Sequence, residues 1–148
     1  MISTDRLRRT PVFAAIGESQ LRDLAMICDV EYFPSGAVIF REGDRADKMY
    51  LLVDGEVDIQ YALGNGELRT VDTLVPGELM MWSALVEPFQ STGVGVARKA
   101  SSAIAIDAAR LRGICAEDLD LGHQLLVGVT KLLASRLQGA RVQLAASD

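Results

Sequence analysis

Between residues 30 and 106 the chain is cut into short apolar runs by turn sequences, and this spacing restricts the fold more than any other feature. The punctuation is Pro34-Ser35-Gly36, Glu42-Gly43-Asp44, Asp54-Gly55, Gly64-Asn65-Gly66 and Pro76-Gly77. Runs this short suit strands joined by tight turns, not helices. Val57, Ile59, Tyr61 and Leu63 alternate with Asp58 and Gln60, which is the pattern of a half-buried strand. Gly64-Asn65-Gly66 accepts positive φ and makes a hairpin loop. Residues 37–41, 49–53, 68–75 and 103–106 supply further strands. The pattern predicts an antiparallel jelly-roll β-barrel, a double-stranded β-helix.

Apart from a short helix in the segment after Gly77-Glu78, helical spacing appears at the two ends, so the class is α+β. Thr4 or Asp5 caps a short helix that Pro11 limits. Ser19 caps a second, whose buried stripe is Leu21, Leu24, Ala25 and Cys28. Asp107 caps a third helix carrying Leu111, Ile114 and Cys115, and Glu117 or Asp118 opens a longer one. In that last helix Leu126, Leu133, Leu137, Ala140 and Leu144 form one stripe, with Leu125, Val129 and Leu132 beside it. Such a width exceeds what one small barrel covers, which implies a homodimer through the C-terminal helix. The expected organisation is one domain over 1–148, with N-terminal helices in 1–28, the barrel in 29–106 and C-terminal helices in 107–148.

Composition excludes several functions. A net charge of −5 and a pI near 4.9 leave no basic surface for nucleic acid. The Arg6, Arg8, Arg9 cluster reads as a solvated helix face. The start of the chain is charged and its apolar run is too short for a secretory leader, and no stretch reaches the ~20 apolar residues that span a bilayer. Cys28 and Cys115 lie far apart in apolar patterns and read as buried free thiols, which fits a cytoplasmic location. His123 is the single histidine and sits on a helix face, so no catalytic triad or Cys-His set assembles. Glu117, Asp118 and Asp120 suit a helix N-terminus better than an acid-base pair. No metal-ligand spacing, phosphate loop or dinucleotide fingerprint is present. The expectation is a protein without catalytic residues, metal or cofactor.

Residues 76–97 carry the functional question. A Gly-Glu pair precedes a segment of one or two helical turns and a glycine-rich return. A short helix opening after glycine presents free N–H groups that suit an anion. Yet no Lys or Arg lies between Arg69 and Arg98.

Together these segments resemble the cyclic-nucleotide-binding domain, the sensor module of catabolite-activator proteins, cyclic-nucleotide kinases and gated channels. Leu7-Arg8-Arg9-Thr10-Pro11-Val12-Phe13 is similar to the family's first helix, and residues 33–44 to its first hairpin. Tyr50-Leu51-Leu52-Val53-Asp54-Gly55-Glu56-Val57 resembles its Tyr-x-hydrophobic-x-x-Gly-x-Val strand. Gly77-Glu78-Leu79 resembles the start of its phosphate-binding cassette, and Trp82-Ser83-Ala84-Leu85-Val86 a run found in a stand-alone bacterial branch.

The resemblance implies a cAMP or cGMP site at Gly77, Glu78, Leu79, Met80, Ser91 and Thr92. Glu78 would accept the ribose 2′-hydroxyl, the N–H groups of Leu79 and Met80 would face the phosphate, and Thr92 would match a hydroxyl contact. The family's phosphate-pairing Arg has no counterpart: Glu87, Gln90 and Ser91 stand there. Losing that pair costs about 2–4 kcal/mol, so affinity is expected to be weak. Arg69 or Arg98 would reach in from a neighbouring strand or stay at the surface. Trp82 either fills space a nucleotide would use or packs under the barrel.

Two functions follow. One is a stand-alone sensory module acting on an unknown protein partner; the other is a ligand-free dimerising scaffold with a plugged pocket. In the transcription-factor branch a helix-turn-helix domain would follow the long helix. The sequence given ends at Asp148, so a self-contained DNA-binding regulator is not expected.

Overall fold

A computed structural model of the chain describes residues 2–147. The strands are β1 (Cys28–Phe33), β2 (Val38–Phe40), β3 (Lys48–Asp54), β4 (Val57–Ala62), β5 (Leu68–Leu74), β6 (Leu79–Met80), β7 (Val94–Ala97) and β8 (Ser101–Asp107). They form two four-stranded sheets, in the orders β1-β8-β3-β6 and β2-β7-β4-β5, and every pairing is antiparallel. The mixed α+β class, the antiparallel strands and the long C-terminal helix match the sequence-based expectation. The strands pair as two separate sheets of this kind.

Register sets the core. On β3 and β8, Met49 lies opposite Ile106 and Leu51 opposite Ile104, and all four are buried. Cross-strand partners share a face, so these pairs stack into one apolar layer. Phe40, Val57 and Leu74 of the other sheet join the same buried cluster. Each large side chain in it contributes roughly 1.5–3 kcal/mol.

The helices are α1 (Thr4–Arg8), α2 (Glu18–Ala25), α3 (Ala108–Glu117) and α4 (Leu119–Ala146). Several expected ends move. Ser3 caps α1 by accepting from the Asp5 N–H at 3.1 Å. Gly17, not Ser19, is the N-cap of α2, and its N–H donates to Gln20 Oε1 at 3.2 Å. Cys28 is not on α2. That helix ends at Ala25, and Cys28 opens β1 opposite Ile106. It is buried in either setting, which is why helical spacing imitates its position. Asp107 caps α3 and Asp118 caps α4, each through its carboxylate. The Leu121 N–H and the Gln20 side chain hold the Asp118 carboxyl below the usual carboxylate range.

The wide stripe on α4 divides. Leu121, Leu125 and Val129 are buried, whereas Leu126, Leu137 and Leu144 are exposed by 53%, 52% and 75%. Leu126 faces out from the half that carries the buried residues, so the division runs around the helix as well as along it. Its first half packs against α3 and a 3-10 turn at Pro11–Phe13. There Gly128 comes so close that a Cβ would lie 2.3 Å from the Val12 carbonyl oxygen. Among the described residues, no helix is long and apolar enough to cross a membrane.

Candidate functional site

The cassette begins where β5 ends and crosses from one sheet to the other. Gly77 has φ +96°, a left-handed conformation that glycine adopts without strain. Its N–H donates to the Leu52 carbonyl at 2.8 Å, and the Leu52 N–H donates to the Glu78 carbonyl at 2.9 Å. The chain then runs as β6, with Leu79 opposite Leu51 and Met80 opposite Tyr50. Met81 turns the chain with φ 62°, and a 3-10 turn follows at Trp82–Leu85. The expected helix directly after the glycine is therefore a strand and then a 3-10 turn. Pairing with β3 satisfies backbone groups that a helix start would have left free.

A cavity of about 290 Å³ opens beside this segment. Leu79, Met80, Met81, Trp82 and Ser83 form one wall and Ser91 and Thr92 another. Ile59 and Tyr61 come from β4, and Leu132, Leu133 and Arg136 of α4 close the remaining side. Four residues singled out from the sequence, Leu79, Met80, Ser91 and Thr92, thus meet at one cavity. Gly77 does not line it. It borders a separate hollow with Arg6, Arg9 and Thr10.

The polar groups at the cavity are largely engaged within the protein. Ser91 Oγ donates to the Gly93 carbonyl at 2.7 Å and accepts from the Gly93 N–H at 3.3 Å. Thr92 Oγ1 lies 3.0 Å from the Tyr61 hydroxyl. Glu78 Oε1 accepts from the Val75 N–H at 3.3 Å, and its Oε2 pairs with the Arg136 guanidinium. Arg136 also pairs with Asp72 Oδ2 on β5. The resulting trio ties the cassette, β5 and α4 together beside the cavity; Asp72 and Arg136 line it, whereas Glu78 does not.

Arg136 is the cation that the sequence reading missed. Arg69 and Arg98 do not line the cavity and are exposed. The guanidinium arrives instead from α4, 58 positions beyond Glu78. A signal was available, because Arg136 lies three residues after Leu133 and four before Ala140. It therefore sits on the face those residues share. A second arginine holds the cassette from α3. Arg112 Nη1 donates to the Ala84 carbonyl at 2.8 Å, and its guanidinium lies 4.3 Å from the centre of the Phe89 ring.

Trp82 touches both settings weighed for it. It lines the cavity and also packs, partly buried, against the core. The cysteines are free thiols. Cys28 is buried, its Sγ–H donates to the Leu24 carbonyl at 3.1 Å, and desolvation pushes its pKa up to about 12. Cys115 is half-buried, and desolvation raises its pKa as well.

Comparison with known proteins agrees with this fold. The sequence profile described as "Cyclic nucleotide-binding domain" matches residues 30–118. A putative cyclic nucleotide-binding protein from Geobacter metallireducens GS-15 is 36% identical, with a TM-score of 0.85, over 93% of this chain and 99% of that one. A CRP-like cAMP-activated global transcriptional regulator of Mycobacterium tuberculosis is 24% identical over 94% of this chain. The cyclic AMP receptor protein of Thermus thermophilus is 28% identical over 93% of it. The chain spans about 60% of the length of these two curated relatives. With the profile covering more than half of its length, the chain belongs to the cyclic nucleotide-binding domain family.

Proposed function

We propose that this domain is a regulatory sensor that binds a small ligand, of cyclic-nucleotide size, in the cavity between the cassette and α4. The observation that carries the reading is the convergence of Leu79, Met80, Ser91 and Thr92 on one hollow roofed by Leu132, Leu133 and Arg136. A ligand there contacts the cassette and the long helix together. It shifts α4 only so far as it binds two arrangements of that helix with different affinity. Regulation then passes to a partner protein through α4, whose exposed Leu126, Leu137 and Leu144 also suit pairing with a second copy. Catalysis is not part of this reading, and the free thiols accord with a cytoplasmic setting.

Cyclic AMP and cyclic GMP are the first ligands to test, and weak binding is expected. The carboxylate that would accept a ribose hydroxyl is already shared between the Val75 N–H and Arg136. That observation also favours a second reading, a dimerising scaffold whose site is closed by its own side chains. Calorimetric titration separates the two. Saturable binding of either cyclic nucleotide supports the sensor; silence up to millimolar cyclic nucleotide and nucleoside alike supports the scaffold.

A further inference from the structure

The charge arrangement at the cavity bears on which ligand it accepts. Among the described residues that line it, Asp72 and Arg136 are the charged ones, and Glu78 stands on the other side of Arg136. Asp72 and Arg136 balance at the lining, and Glu78 behind Arg136 leaves the three-residue cluster with one net negative charge. The side chains of Arg136 and Glu78 are 23% and 18% exposed and that of Asp72 is 42% exposed, so water and salt screen the Asp72 end more than the Arg136–Glu78 pair. The remaining surface is mainly apolar, with Phe40, Ile59, Leu79 and Trp82 facing Leu132 and Leu133.

A cyclic phosphate brings a further negative charge into this setting. Arg136 can serve it only by leaving a carboxylate that it already matches, and the freed carboxylate then stands near the phosphate. The Ser91 hydroxyl offers little help, because it is bonded to Gly93 through both its donor and its acceptor. An uncharged ring compound meets none of these costs and still gains the contact with the apolar walls.

We propose that the cavity selects an uncharged, flat, nucleoside-sized ligand over an anionic cyclic nucleotide, and that Asp72 sets this discrimination. The proposal rests on the reading of the domain as a small-ligand sensor. Adenosine and cAMP are the probes, because both carry the same base and sugar and only one carries the phosphate. Binding is followed by calorimetry and by the emission of Trp82, the chain's single tryptophan, which lines the cavity.

Adenosine is expected to bind the wild-type domain at least as tightly as cAMP. Asp72→Asn leaves Arg136 and Glu78 as a neutral pair, and is expected to improve cAMP relative to adenosine on the order of tenfold. Glu78→Gln tests the same charge from the cassette side, with circular dichroism confirming that each variant is folded. Tighter binding of cAMP than of adenosine to the wild type would overturn the charge inference while leaving the sensor reading intact. Binding of neither probe at millimolar concentration would overturn the sensor reading and this inference with it. An unchanged preference in both folded variants would remove Asp72 and Glu78 as its source.

Discussion

The two halves of α4 are built on different principles. Up to Val129 the helix is rooted: Leu121 and Leu125 are fully buried, and Gly128 brings its backbone against the Val12 carbonyl. Beyond Leu133 the apolar side chains turn outward, with Val142 and Leu144 exposed by 59% and 75%. There the helix is held by Arg136 to the cassette through Glu78 and to β5 through Asp72. The difference teaches where a signal can leave this domain. A half anchored by packing has one arrangement, because close-packed side chains resist small displacements. A half anchored by ion pairs at a cavity wall can be released by whatever competes for those pairs.

The contrast can be broken first at its rooted end. Leu125→Ala removes a fully buried side chain and leaves a void, and should destabilise the fold by about 2–5 kcal/mol in denaturant unfolding. A loss near zero would mean that the first half is not anchored as described. Gly128→Ala should cost less, about 1–3 kcal/mol, because α4 must move off the Pro11–Phe13 turn to admit the methyl group. Alanine favours a free helix over glycine by up to about 1 kcal/mol, so a net gain in stability would show that the close approach to Val12 is absent.

The outward half sharpens the comparison with a smaller effect. The double substitution Leu137→Ser and Leu144→Ser should change the stability of the isolated domain by no more than about 0.5 kcal/mol per site. On the proposed pairing through this face, the wild type sediments as a dimer and the double variant as a monomer. An unchanged sedimentation profile would separate that face from self-association.

Local pattern made much of this fold legible. The alternation of Val57, Ile59 and Tyr61 and the turns at Gly36, Gly55 and Gly66 are written within a few residues, so β4 and its neighbours could be read directly. The residues converging on the cavity were legible only through family resemblance, since Leu79 and Met80 look like any short apolar run. What stayed hidden was long-range. Cys28 continues the spacing of α2 but belongs to a strand, because its partner Ile106, on the adjacent β8, lies far along the chain. Met81 adopts a left-handed conformation that nothing in its side chain favours. Arg136 reaches the cassette from a helix packed over the cavity, and no window around Glu78 contains it. No cation stands within the cassette along the chain; the fold supplies one across it.

The central claim is that Arg136 fastens α4 to the cassette through Glu78. A double-mutant cycle tests it most directly, with Glu78→Gln, Arg136→Gln and the pair compared in denaturant unfolding at one protein concentration. The account predicts a coupling of about 1–2 kcal/mol, with the double variant less destabilised than the two single changes summed. Effects that add to within about 0.5 kcal/mol would contradict it.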